Sequence, residues 1–494
     1  MYQVKSTTAL NNTLYGYYFF ALCTVSLAAG VVSTLYIFFD GQQGYKLLPF
    51  LPFSYLFSLL INKTRIVTET PNIGIFIYYS ISLLRLVILP LLYIIYGYYE
   101  VIEYNSVSNT PKAILLMAYE TIAIAISLNV SIRNTEKISV KLSQPYKATV
   151  YKRLSVITLA LILVGVILNH ITPEVLQSYT TIFDMIKTGK IPPEQNYLVR
   201  KYGVNFVKKL SLVSSNYLFK ILKLLIPMCL VTVLQRKEGV LRKSLAILVC
   251  LLPFLYVSGS IAVSFHYLFL IASLFIVIQG KRPDVIFKPL IIAMITIMLY
   301  LVIRVSISSN ENTGAMIRTI NAYFSGVNIV SGSFNLEGGL PLRLHYFLCD
   351  IFGSIPFSGT LFGIDGMTIN EYFCYSNECS GQIAPTIGLG CYYFSPILAP
   401  LYSVFFIKLS ETFGKRFYSE ENPHLRVIYV AISYYSALAV VAYNIEIVLG
   451  IFCQVILPIY IVFFLCYKNI NAEKNNEIHL FETGCTEGRK NYAK

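Results

Sequence analysis

Four arginines, a lysine and a histidine carry most of the chemistry this sequence offers. Arg200 and Lys201 stand in Tyr197-Leu-Val-Arg-Lys-Tyr-Gly203, Arg304 closes an apolar run, and Arg318 and Arg343 follow in a long stretch rich in aromatics. A guanidinium is a planar fork of donors that matches phosphate oxygens in pairs. Each cation alone has a simpler reading, snorkelling to headgroups or pairing with a loop carboxylate. As a group they favour an anionic, phosphate-bearing ligand. His345, in Pro341-Leu-Arg-Leu-His-Tyr346, is the histidine of that stretch. Its ordinary pKa of about 6.5 suits it to take a proton from a hydroxyl at neutral pH. Glu337, Asp350 and Asp365 compete for the same role. Cys374 and Cys379, separated by four residues, would be permitted a disulfide in an oxidising exterior, but no further Cys or His lies near enough to complete a zinc site. No phosphate-binding Gly-x-x-x-x-Gly-Lys-[Ser/Thr] run is present, so nothing points to an ATP-driven pump. Neither a metal nor a cofactor is expected.

These side chains lie between blocks that water cannot cover. The chain has 494 residues, 56% hydrophobic and 13% charged, where a soluble domain is about 45–50% apolar and about 25% charged. The apolar residues form runs near 14–39, 46–61, 73–96, 113–130, 154–171, 217–234, 245–257, 261–278, 289–307, 386–407, 427–443 and 446–467. In a bilayer only helices satisfy the backbone within one such run. The expectation is an all-α integral membrane protein of about twelve transmembrane helices. The first run lacks a cleavage site and is expected to remain in the mature chain.

The net charge of +14 is spread over alternate connections rather than gathered on one face, which argues against nucleic-acid binding. Lys63/Arg65, the stretch Arg133 to Arg153, Arg236 to Lys243, Lys281/Arg282/Lys288 and Lys408/Lys415/Arg416 mark the cytoplasmic side. The connections 40–45, 97–112, 172–216, 258–260, 308–385 and 444–445 then face outward, and both termini are inside. The chain divides into 1–307 (helices one to nine, with the outward loop 172–216), the large outward loop 308–385, the last three helices within 386–470, and a cytoplasmic tail 471–494. The loop 308–385 holds enough aromatic and aliphatic residues, Tyr323 and Tyr346 among them, to fold as an ordered cap with short helices. Within the runs the clearest ionisable groups are Arg85, Glu120, Lys220, Lys223, His266 and Glu446. An ion-coupled transporter needs acidic groups at mid-membrane, and only Glu120 and Glu446 qualify.

Three short segments carry a family likeness: Val257-Ser-Gly-Ser260, Asn321-Ala-Tyr-Phe-Ser-Gly326, and Gly381-Gln-Ile-Ala-Pro-Thr-Ile-Gly388 before Tyr392-Tyr-Phe394. With the overall layout, they resemble the Wzy-type polymerases of bacterial O-antigen and capsular polysaccharide, relatives of the O-antigen ligases. Where many members have Arg and Gly after Ser-Gly-Ser, this chain has Ile261-Ala262. The resemblance implies a GT-C-like glycosyltransferase of the bacterial inner membrane, working on the outer face without nucleotide sugar or metal. It would move a growing glycan from undecaprenyl diphosphate to the non-reducing-end hydroxyl of a lipid-linked repeat unit, beside a chain-length regulator. Arg318 and Arg343 would stabilise the departing diphosphate and His345 would activate the acceptor. Arg200, Lys201, Arg304 and the sugar-stacking Tyr323 would bind substrate. The alternatives are a lipid-linked oligosaccharide flippase or exporter, which needs no such long outward loop, and another polyprenyl-phosphate-dependent glycosyltransferase, with Asp40 as its acid.

Overall fold

The computed structural model describes residues 2–67, 72–98, 100, 102, 107–130, 148–181, 184, 198, 201–203, 205–235, 256–258, 310–355, 358, 367–379 and 382–467. Helices make up most of this. Six are long and apolar enough to cross a membrane: Tyr15–Phe39, Ile73–Tyr96, Asn109–Val130, Val150–Ile171, His424–Val441 and Ile445–Tyr467. Each matches an expected span to within about one helical turn. The chain is an α-helical membrane protein. The expected spans 261–278 and 289–307, and most of 245–257, lie outside the described residues.

Three other spans differ from expectation. The run 46–61 is a turn followed by the shorter helix Phe50–Ile61. The run 217–234 belongs to a longer helix, Phe206–Gln235. The run 386–407 is broken: the helix Thr386–Phe394 stops at Ser395 (φ +103°), and a second helix, Leu401–Ser419, starts after a turn. The end of 245–257 is also corrected, because Tyr256–Ser258 is a strand paired antiparallel with Tyr179–Thr181. Aromatic and β-branched residues on both sides favour that pairing.

The chain forms two compact units, the first being residues 1–141, 282–420 and 429–453 and the second 142–281, 421–428 and 454–494. Hydrogen bonds set the depth of the elements in the first unit. Near the start of the Asn109–Val130 helix, Asn109 Nδ2 donates to Asn335 Oδ1 at 3.0 Å. At its middle, Ser403 Oγ donates to Glu120 Oε1. Near its end, Lys408 Nζ donates to the Ser127 carbonyl at 2.5 Å. The helix Leu401–Ser419 therefore starts beside the middle of the Asn109–Val130 helix and runs toward its C-terminal end. There Arg65 and Lys415 both pair with Glu411, and Asn72 Nδ2 donates to the Glu411 carbonyl at 2.7 Å. Asn72 also caps the Ile73–Tyr96 span through its Oδ1, as expected of Asn at a helix start.

The broken span leaves a backbone carbonyl to satisfy inside the membrane, where an unpaired one costs several kcal/mol. Tyr119 Oη donates to the Ile397 carbonyl at 2.9 Å, which meets that need. Gly390 makes the turn possible, since a Cβ there would lie 2.1 Å from the Ala399 carbonyl oxygen. Ser395 itself occupies backbone space that glycine tolerates and other residues pay about 1–3 kcal/mol to enter. Ser395→Gly is expected to raise thermal stability by about 1 kcal/mol, read as an upward Tm shift in detergent.

The centre of the first unit is held by Arg85, on a π-helical turn Leu84–Ile88 within the span. Its Nη1 pairs with Glu120 Oε2 at 2.9 Å and donates to the Val440 carbonyl at 3.2 Å, while Nε donates to the Ser325 carbonyl at 3.0 Å. Both charges are almost fully buried. Ser325 (φ +46°) and Gly326 end the helix Asn310–Tyr323, and a Cβ on Gly326 would strike Asn321 Oδ1 and Leu89. The Asn321 to Gly326 segment is thus a helix stop clamped by a buried arginine.

In the second unit the helices Ala148–Ile171 and Phe206–Gln235 pack along each other and against Leu457–Tyr467. Arg153 Nη1 donates to the Cys466 carbonyl at 3.3 Å, and Lys220 Nζ to Gln454 Oε1 at 3.0 Å. Lys208 pairs with Glu174 at 2.7 Å beyond the apolar part of Phe206–Gln235, in the stretch expected to be an outward loop.

Candidate active site

Among the described residues of the stretch 308–385, here termed the cap, the main element is the helix Leu340–Phe352. Pro341 lies in its first turn, where the missing amide hydrogen costs nothing. Positions 343, 346 and 350 share the inward side. Tyr346 and Asp350 are buried, and Arg343 is half-buried. Tyr346 packs in a cluster with Ile369, Phe373, Leu389, Tyr392 and Tyr393. A second cap helix, Ile369–Ser376, starts with a capping box in which Thr368 Oγ1 accepts from Glu371 N–H and the Glu371 carboxylate accepts from Thr368 N–H.

Asp350 is the focus of this arrangement. Tyr393 Oη donates to its Oδ2 at 2.7 Å, whereas its Oδ1 and the hydroxyl of Tyr402 have no hydrogen-bond partner among the described residues. Burial pushes its carboxyl up to about 8, against the lowering effect of the Tyr393 hydrogen bond and with a further upward push from Glu446. Glu446 is fixed in turn, because Asn370 Nδ2 donates to its Oε2 at 2.8 Å and Asn370 Oδ1 accepts from Asn444 Nδ2 and Ala384 N–H, each at 2.9 Å. Ser354 Oγ donates to the Glu446 carbonyl at 3.0 Å and ties the end of the cap helix to the start of the last span. A buried carboxyl that titrates near neutrality, with one oxygen unengaged, is equipped to accept a proton from a bound hydroxyl.

Arg343 stands two turns earlier on the same side of the helix. Its Nε donates to the Gly338 carbonyl at 2.9 Å, and its guanidinium lies 5.4 Å from the centre of the Tyr392 ring. No carboxylate pairs with it among the described residues. Tyr372 and Tyr392 both donate to the Glu337 carbonyl, at 2.9 and 3.2 Å, so the backbone beside Arg343 is held from two sides.

The other expected residues are placed differently. His345 is exposed, with Nε2 3.6 Å from Cys349 Sγ, and is five positions before Asp350, so the two point to opposite sides of the helix. Glu337 is also exposed. Arg318 and Tyr323 are exposed along Asn310–Tyr323, the helix that leads to the Arg85 clamp. Lys201, in the second unit, has its Nζ 5.2 Å from the Tyr202 ring centre. Arg200, Arg304 and Asp365 lie outside the described residues. The structure thus gathers Arg343 and Asp350 on one helix side and separates His345 from them.

Asn370, Tyr393, Tyr402 and Asn444 were not singled out from the sequence. Tyr393 has a legible signal, since Gly388-x-x-x-Tyr392-Tyr-Phe394 belongs to a family-like segment. The asparagines have none. Cys374 and Cys379 are not bridged by a disulfide, and the Cys379 N–H donates to the Cys374 carbonyl at 3.0 Å. Among the described residues no three His, Cys, Asp or Glu side chains come together as a metal site. Compared with protein-family models, with curated proteins and with solved structures, the chain matches none.

Proposed function

We propose that this protein is a membrane glycosyltransferase that polymerises oligosaccharide repeat units carried on undecaprenyl diphosphate, at the outer face of a bacterial inner membrane. The observation that carries this reading is Asp350, a buried carboxyl with an oxygen unengaged among the described residues, on the same side of the cap helix as Arg343, which pairs with no carboxylate among them. The Asp350 carboxylate takes the proton of the acceptor hydroxyl. The hydroxyl oxygen bonds to the anomeric carbon of the growing chain, the bond from that carbon to the diphosphate oxygen breaks, and undecaprenyl diphosphate departs with the electron pair. Arg343, with Arg318, stabilises the charge that develops on the diphosphate. Tyr323 and Arg304 bind the lipid-linked substrates, and Arg200 and Lys201 are proposed as substrate-binding residues of the second unit. Twelve spans, cytoplasmic termini and a chain-length regulator as partner belong to the same proposal.

An exporter is less well supported. Of its two mid-membrane acids, Glu120 is already engaged by Arg85 and Ser403, and Glu446 sits at the start of its span rather than its middle.

The test is the length of surface polysaccharide by gel after deletion of the gene in its host. Deletion is expected to leave a single repeat unit, and the wild-type plasmid to restore the ladder. Arg343→Ala is expected to reduce polymerisation about tenfold or more, the effect of losing a charge-assisted hydrogen bond to the leaving group. Arg318→Ala and His345→Ala rank the remaining candidates. Lipid-linked units trapped on the cytoplasmic face of the deletion strain would overturn polymerisation in favour of flipping.

A further inference from the structure

The outward side of the cap helix Leu340–Phe352 has a composition that water does not explain. Leu340, Leu344, Leu348 and Phe352 recur every fourth residue and are 76%, 52%, 42% and 43% exposed. At about 100° per residue they cover an arc of roughly 120°, the width of a core-facing stripe, yet nothing among the described residues covers them. Arg343 borders the arc on one side and His345 on the other. The opposite side carries the buried Tyr346 and Asp350.

The position of the cap identifies the occupant. It is tied to the starts of two membrane spans, through Asn335 to Asn109 and through Ser354 and Asn370 to Glu446. Both starts are where the connections expected to face outward enter the bilayer. A helix held beside those span starts carries its apolar arc where the connections meet the bilayer, with Arg343 on one border of the arc. We infer that Leu340–Phe352 is an interfacial helix, its leucine face sunk among the acyl chains of the adjacent leaflet and its Asp350 side turned to the protein. Such helices bury their apolar face about 5–10 Å into the headgroup boundary. The occupant is phospholipid, not a second protein. This inference does not depend on the chain being a glycosyltransferase.

The chain contains no tryptophan, so one introduced residue reports without background. Leu344→Trp and Leu348→Trp are to be reconstituted separately into phosphatidylcholine–phosphatidylglycerol vesicles, with and without bromine on the acyl chains. Tyr375→Trp, at a side chain 75% exposed on the second cap helix, serves as the aqueous reference. The leucine-site fluorophores are expected to lose half or more of their emission to brominated lipid and to resist iodide, and the reference to do the reverse. Iodide quenching without bromolipid quenching at both leucine sites would overturn the inference. So would protection from both quenchers, which would indicate a protein partner on that face. Two leucine positions keep the test decisive if one variant fails to fold, and a monodisperse gel-filtration profile before reconstitution identifies such a failure.

Discussion

Asp350→Asn is expected to abolish chain growth while making the protein more stable at alkaline pH. Removing a positioned general base costs about a hundred- to ten-thousandfold in rate. Asparagine keeps the shape and still accepts the Tyr393 hydrogen bond, so the loss would report the proton acceptor rather than the packing. The stability effect has a definite sign. The folded protein holds this carboxyl at about 8, above its usual 3.8, because burial disfavours the charged form. The folded state therefore binds the proton more tightly than the unfolded one. The stabilisation from this linkage is complete below about pH 4 and is lost as pH rises through about 8. Wild-type Tm is expected to fall between pH 5 and pH 9 relative to Asp350→Asn. Transfer rate runs the other way, since a base must be deprotonated, and rises toward pH 8 in the wild type. Paired Tm and in vitro transfer measurements across this range would show both trends. Normal polymer length from Asp350→Asn would remove Asp350 from the mechanism and return the role to His345.

Glu120→Ala is expected to cause the largest loss of stability. Arg85 reaches Glu120 and the carbonyls of Ser325 and Val440, and its side chain is 3% exposed. Deleting the carboxylate leaves a buried, uncompensated cation, an effect of about 3–5 kcal/mol. Replacing both partners with methionine removes both charges together and is expected to recover much of that loss. Detergent-solubilised Tm values for Glu120→Ala, Arg85→Met and the Arg85→Met/Glu120→Met pair form the test. Additive losses in the double variant would mean that the two residues act separately. Because Arg85 also holds the Ser325 stop, either single variant is expected to loosen the entry to the cap and so shorten polymer indirectly.

Hydrophobic run length made six membrane spans legible, but residue type read the site less well. A residue-type argument favours His345 for its pKa. Helical spacing, however, puts His345 beside the 340, 344, 348, 352 stripe, while 343, 346 and 350 share the opposite face. Reading the two rules together would have moved the choice to Asp350. The break at Ser395 also had a local signal: Pro396 follows it, and the residue before proline is pushed out of helical space. The apolar run was long enough to mask that signal. Other features had no local trace. Arg85 meets partners 35, 240 and 355 positions away, and Asn370 contacts Glu446 across 76. Pairings at such separations depend on how the helices are arranged.

The interrupted span has a consequence for how the protein is made. The helix Thr386–Phe394 has nine residues, about 14 Å of helix, less than half of the roughly 30 Å a bilayer requires. The part of Leu401–Ser419 that precedes Lys408 is no longer. Neither piece is long enough to be recognised and released into lipid by itself, and the carbonyl between them is met by Tyr119, on a span synthesised much earlier. The nascent chain must therefore keep the Asn109–Val130 helix at hand until residues 386–407 emerge, so that membrane insertion and tertiary assembly are here a single event.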